Sequence, residues 1–110
     1  MTKASPLKAQ EQQIVHCLRQ HDVEGALQLI VAHFHEPLYW AIRKWVLVHE
    51  DADDVLQLSF VRIYKGLSKF AFKSAVKTWC YRIAYNESMR FLETNKKRMR
   101  ISEDYNAYRL

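Results

Sequence analysis

Glycine and proline are scarce, with two of each in 110 residues. That excludes a many-stranded sheet, whose turns draw on both residues, and it excludes collagen-like or low-complexity chains. Cysteine is equally rare. Cys17 and Cys80 stand far apart with no CxxC pair and no framework of spacings, so neither a disulfide scaffold nor a zinc ribbon is indicated. Such sparing use suits a reducing compartment, and a cytoplasmic location is expected. No apolar run approaches the roughly 18 residues of a membrane span. The opening Met1-Thr2-Lys3-Ala4-Ser5-Pro6 has no hydrophobic signal core. Phosphate-cradling and nucleophile motifs of the GxxxxGK-S/T, GxGxxG and GxSxG types are missing.

What remains is apolar and basic. Apolar residues make up 49% of the chain and the formal net charge is +5. The first figure supports a packed core, and the length suits one domain. The second favours a polyanionic partner, although a solvated basic surface needs none.

Helical periodicity runs along most of the chain. Residues 1–6 are expected to be a tail. A first helix is predicted over 7–20, with Ile14, Cys17 and Leu18 on one stripe. His21 and Asp22 break it, and Asp22 is a suitable N-cap for the next helix. The second helix begins near Val23 and aligns Ala26, Leu27, Ile30, Val31 and Phe34. Pro37 is expected to kink or restart it, after which Leu38, Tyr39, Ile42, Trp45 and Val46 resume the pattern. The third helix is predicted over 51–66, with Asp51, Asp53 and Asp54 near the positive end of its dipole and Gly66 at its C-terminus. Residues 67–74 read as a loop. The fourth helix starts near Ser74 and enters the basic run Lys96-Lys97-Arg98-Met99-Arg100. Residues 101–110 turn polar and aperiodic. The fold class expected is an all-α compact bundle of about four helices.

Two surfaces depart from a plain bundle. At about 100° per residue, Ala52, Val55, Leu56, Ser59, Phe60, Ile63 and Leu67 share the core face of the third helix. Asp54, Leu58, Val61 and Lys65 lie opposite, with Gln57 at the edge. Apolar Leu58 and Val61 beside Asp54 are not required for folding; they read either as scattered surface apolars or as a protein-docking patch. The second surface spans the loop and the fourth helix. There Lys69, Phe70, Phe72, Lys73, Lys77, Trp79, Tyr81, Arg82 and Tyr85 mix cations, which neutralise phosphates, with rings, which stack on unpaired bases. Val76, Cys80, Ile83, Ala84 and Phe91 form the inward face of that helix, and Phe70 and Trp79 suit both roles. No metal or cofactor is expected. His33 and His35 diverge by about 200° on a helix, and His16, His21 and His49 lack ligand-spaced partners. The acids at 50–54 read as a helix N-terminus rather than as paired catalytic groups, and nothing indicates an enzyme.

These same segments resemble bacterial RNA polymerase sigma factors of the extracytoplasmic-function (ECF) group, region 2. Residues 51–64, DADDVLQLSFVRIY, are similar to the family's DAEDLVQETFLRLW. Residues 77–86, KTWCYRIAYN, are similar to RTWLYRIARN, and 37–43, PLYWAIR, to part of PRLYRLAR. The likeness covers about residues 22–100. It implies a module, residues 7–100, that binds core RNA polymerase at the clamp helices of its largest subunit and melts promoter DNA. On that basis Asp53, Asp54, Gln57, Leu58 and Val61 are expected to bind polymerase. Lys69, Phe70, Phe72, Lys73, Ser74, Lys77, Thr78, Trp79, Tyr81, Arg82 and Tyr85 are expected to bind the single-stranded minus-ten region, with a flipped base held by the loop. An anti-sigma factor is a further expected partner. Residues 101–110 would then begin a linker cut short of a second domain. This sequence departs from the family at Leu58, where Glu is usual, at Cys80, and in the loop, where 70–79 read FAFKSAVKTW against FRGESSFRTW and the glycine is missing. The alternative reading is a sigma-like helical protein that binds polymerase or a regulator without reading DNA; the basic loop discriminates the two.

Overall fold

The computed structural model describes residues 6–109, and the side chains of 7–106. Of the tail expected over 1–6, only Pro6 falls within them. Four helices follow in order: α1 Pro6–Arg19, α2 Val23–Arg43, α3 His49–Leu67 and α4 Val76–Arg109. No strand occurs among the described residues. None of the helices is long and apolar enough to cross a membrane.

Helix α2 is the hub, packing against α1, α3 and α4. Its stripe of Ala26, Ile30, Phe34, Leu38 and Ile42 is buried throughout. Ile14 and Leu18 of α1 meet it, as do Ala52, Val55, Leu56, Ile63 and Leu67 of α3 and Val76, Cys80 and Ala84 of α4. The helix runs through Pro37 without the expected restart. Proline inside a helix costs about 3 kcal/mol. Phe34 and Leu38 are buried on either side of it, and each such side chain contributes about 2 kcal/mol, so the stripe holds the two halves in one helix.

The α1–α2 corner is closed by local chemistry. His21 takes a left-handed φ of 60°. The N–H of Asp22 then reaches back to Cys17 O at 2.8 Å and that of His21 to Leu18 O at 3.1 Å, a Schellman arrangement. Asp22 caps α2 as the sequence predicts, its Oδ1 accepting from Gly25 N at 2.9 Å. A Cβ on residue 25 would stand 2.2 Å from Asp22 Oδ2, so any larger residue there would make the capping carboxylate shift.

Two expectations about α3 need correction. It begins at His49, two residues early, with Val48 as an N-cap that makes no side-chain bond; the first-turn acids Glu50 and Asp51 supply the favourable charge instead. Gly66 is not a left-handed terminator, since no glycine has positive φ. Its role is close approach: a Cβ there would lie 2.9 Å from Trp79 Cζ2. Buried Ser59 and Ser88 satisfy themselves by donating to Val55 O and Ala84 O, one turn back, at 2.7 and 2.9 Å.

Helix α4 begins two residues later than predicted, and its start is built from another element. Glu11 of α1 accepts hydrogen bonds from Val76 N at 2.9 Å and Lys77 N at 2.7 Å. These are two of the orphan donors that every helix N-terminus carries. The helix then extends through Arg109, across residues read from the sequence as linker, and 101–106 are exposed. Their aperiodicity reflects that exposure: a helical stretch that packs against nothing needs no apolar stripe.

Glu11→Ala removes both charge-assisted caps. It should lower the unfolding free energy by about 2 kcal/mol, with Glu11→Gln recovering part of the loss; urea denaturation followed by far-UV circular dichroism measures both. A change under about 0.5 kcal/mol would mean that water caps α4 equally well.

Candidate protein-docking and nucleic-acid surfaces

The outward face of α3 follows from the periodicity that buries the other face. Leu58 and Val61 are 54% and 48% exposed, while Val55, Leu56, Ser59 and Ile63 beneath them are buried. With exposed Asp54 and Gln57 they line a shallow groove of about 410 Å³. Asp53, the fifth residue expected there, turns to His49, whose Nε2 lies 3.3 Å from its Oδ2. Phe60 is half-buried and stacks against His35 of α2 with ring centres 6.1 Å apart.

A second hollow, of about 300 Å³, continues this face onto α4 between Asp54, Leu58, Glu87, Arg90 and Arg98. Its floor carries a charge that sequence reasoning missed. Glu87 is only 6% exposed and pairs with Arg62 of α3, with Arg90 Nη1 3.5 Å from the same oxygen. Periodicity marks residue 87 as inward-facing, but only the fold brings Arg62 to it.

The loop between α3 and α4 is pinned at its base and open at its tip. Phe70 is half-buried, packed edge-on against Trp79 at 5.2 Å and Phe72 at 5.0 Å. Trp79 lies over Gly66. Phe72 is 40% exposed and adopts a left-handed φ of 57°. It stands at the position where the similar family motif reads glycine, and it takes a left-handed conformation that favours glycine. That conformation costs about 1–2 kcal/mol for an L-residue. Contact with Phe70 and the Arg19 guanidinium, 4.3 Å above the Phe72 ring, offsets part of it. Lys69 and Lys73 are exposed, and Ser74 is half-buried with its hydroxyl donating to Ala75 O at 3.2 Å.

Along α4, Thr78, Arg82 and Tyr85 are exposed, as the helical wheel predicts. Lys77 is half-buried; its Nζ lies 5.6 Å from the Tyr81 ring and 6.0 Å from that of Phe34. Tyr81 is half-buried, and desolvation pushes its hydroxyl pKa up. The expected DNA set therefore divides. Phe70 and Trp79 hold the loop, whereas Lys69, Phe72, Lys73, Thr78, Arg82 and Tyr85 face outward. Arg19 and Glu11 join the site from α1, and Trp45, expected on the core stripe, is 46% exposed and packs against Tyr85.

No group of three or more His, Cys, Asp or Glu side chains suited to a metal ion occurs among the described residues. Cys80 is buried, and burial, with the nearby Glu11 charge, pushes its thiol up to about 12; Cys17 is only partly buried.

Residues 30–98 match the family model for sigma-70 region 2. The chain is 33% identical over 89 residues to the RNA polymerase sigma-H factor of Pseudomonas aeruginosa, covering 81% of this chain and 46% of that protein. It is 31% identical over 88 residues to the ECF RNA polymerase sigma-E factor of Haemophilus influenzae, covering 80% and 46%, and 30% identical over 88 residues to that of Escherichia coli, covering 80% and 45%. The chain thus spans about half the length of the curated relatives it matches.

Two measurements probe this geometry. Since thiolate is the reactive form, Cys17 should alkylate with iodoacetamide at pH 8 at least tenfold faster than Cys80 in the folded chain; equal rates would mean that the α4 core opens. Arg62→Ala leaves Glu87 with a reduced partner set and should cost about 2 kcal/mol in urea denaturation, part of which Glu87→Gln restores in the same background.

Proposed function

The chain belongs to the sigma-70 family, in its ECF group, through region 2, and on that premise we propose that it is the polymerase-docking and promoter-opening module of a transcription initiation factor. The observation that carries the proposal is the loop after α3. Its base is clamped by Phe70, Trp79 and Glu11, while Lys69, Phe72 and Lys73 remain outward. A rigid base with a basic, aromatic tip is what capture of an unpaired base requires.

In this reading α3 docks on the clamp helices of the largest polymerase subunit. Leu58 and Val61 supply apolar contact there, and Asp54 and Gln57 supply the polar contacts that fix its direction. Leucine at 58, where the family usually has Glu, makes the contact less dependent on charge. The minus-ten non-template strand then runs over the loop and α4. Lys69, Lys73, Lys77 and Arg82 neutralise its phosphates. A flipped base enters the loop beside Phe72, with Ser74 and Thr78 offering hydroxyls. Extrusion costs a few kcal/mol, offset by stacking of about 1–3 kcal/mol per base and by the phosphate contacts. The bond-making chemistry belongs to the polymerase. An anti-sigma factor covering the α3 face is the regulator that fits the same apolar groove.

Asp54→Ala or Gln57→Ala should weaken binding to a clamp-helix fragment about fivefold, roughly 1 kcal/mol, at unchanged helicity. Unaltered affinity in a pull-down would count against the docking assignment. Lys73→Ala combined with Lys77→Ala should lower the salt slope for a single-stranded minus-ten oligonucleotide by about 1.4, at about 0.7 per phosphate contact. An identical slope removes those lysines from the interface. If Lys69, Phe72 and Lys73 can all be replaced by Ala without effect on transcription, the chain docks without reading DNA.

A further inference from the structure

Beyond the loop, one further hollow has walls suited to a nucleic acid. It lies where the end of α2 meets the middle of α4, has a volume of about 260 Å³, and is lined by Lys44, Trp45, Tyr81, Tyr85 and Ser88 over a floor of Ile42 and Ala84. Trp45 and Tyr85 meet edge to face with ring centres 5.7 Å apart and planes at 79°. They are 46% and 48% exposed. Folding does not require either ring there: Val46, one position on, is buried and supplies the core contact. The hollow is below the roughly 300 Å³ at which small-molecule cavities begin, which suits a single flat ring better than a larger ligand.

Charge selects among the flat rings. Lys44 is the single charged residue among the described residues that line the hollow. Arg82, exposed one turn before Tyr85, adds a second cation. The α3–α4 hollow, by contrast, is walled by Asp51, Asp54 and Glu87. A polyanion that carries flat rings is a nucleic-acid strand, and an aromatic pair flanked by cations is how proteins hold unpaired bases without regard to sequence.

We propose that Trp45 and Tyr85 form a second base-stacking platform, with Lys44 and Arg82 as its phosphate contacts, two turns along α4 from the loop. The platform extends the reading given above and rests on it. The eight residues from Lys77 to Tyr85 rise about 12 Å, so one strand lying along α4 engages the loop with one nucleotide and the platform with a later one. The platform holds the strand after the loop has taken its base, and it shows no sequence preference, because every base has a stacking face.

The test uses the full chain and two fluorescein-labelled probes read by anisotropy at low salt: (dT)12, and a twelve-unit abasic deoxyribose-phosphate chain. Trp45→Ala and Tyr85→Ala should each weaken (dT)12 binding about tenfold, within the range for one lost stack, and leave abasic binding unchanged. Trp45→Phe should restore most of the affinity, which separates stacking from a folding defect, and far-UV circular dichroism checks each variant. Lys73→Ala, run in parallel, should weaken both probes. If Lys73→Ala weakens binding but Trp45→Ala does not, the platform is overturned and the loop reading stands; the aromatic pair then belongs to a protein partner. If Trp45→Ala weakens (dT)12 and Lys73→Ala weakens neither probe, the platform stands and the loop reading fails. Equal losses on both probes for Trp45→Ala also overturn stacking.

Discussion

The two bonds that Glu11 accepts from the first N–H groups of α4, at 2.9 and 2.7 Å, link the first helix to the start of the last, at the root of the basic, aromatic loop. An N-terminal helix caps the helix that carries the basic and aromatic residues, and it does so at the root of the loop preceding that helix. Without the cap, Val76 and Lys77 would present unsatisfied donors beside a buried face, and the start of α4 would be free to fray. The loop would then lose one of its two fixed ends. The other end is fixed by Trp79 over Gly66, where even a methyl group would meet the indole at 2.9 Å. Phe70 packs against that indole, and Arg19, also from α1, covers Phe72. Helix α1 therefore does more than cover the core: it sets the geometry of a loop 50 or so residues away in sequence.

The core was legible because helical periodicity is a local property. The α3 stripe from Ala52 to Leu67 and the exposure of Leu58 and Val61 follow from counting residues, and so do the outward Thr78, Arg82 and Tyr85. What was not legible depends on partners distant in sequence. Glu11 looks like any polar residue of an amphipathic helix until α4 is placed beside it. Gly66 carries the composition signal of a helix terminator, and only the approach of Trp79 shows why glycine is there. Pro37 carries a breaking signal that burial on both sides of it overrides. Trp45 fits the apolar spacing of α2, yet α2 ends at Arg43, and just past that end Val46 takes the buried position while Trp45 stays half exposed.

Phe72 joins sequence and structure differently. The missing glycine raises the question of whether the loop keeps its shape. Residue 72 does take the left-handed φ that glycine favours, held by Phe70 within the loop and by Arg19 outside it. The backbone cost of about 1–2 kcal/mol falls on a loop whose two ends are already fixed, so the chain tolerates it without unfolding the loop. What that cost gives in return is an aromatic face, 40% exposed, at the tip, where glycine presents none. A strained residue persists only where its surroundings over-determine it, and here the surroundings are Phe70, Arg19 and the capped start of α4.

The same division of labour governs the other face. Glu87 and Arg62 tie α4 to α3 through a charge pair of which the carboxylate is almost wholly buried. Such a pair adds little net stability over apolar packing, but it ties the two helices unequally: without Arg62 the buried Glu87 keeps only Arg90, whereas the half-exposed Arg62 would return to water without Glu87. The apolar groove on α3 and the basic, aromatic surface on α4 then sit on helices that share one core and meet through Gly66 against Trp79 at one end and Arg62 against Glu87 farther along. A protein held at Asp54 and Leu58 and a strand held at Lys73 and Tyr85 would thus be carried by a single rigid body. No loop interrupts α3 or α4 between the two surfaces, so the proposed role would need no motion within either helix to couple them.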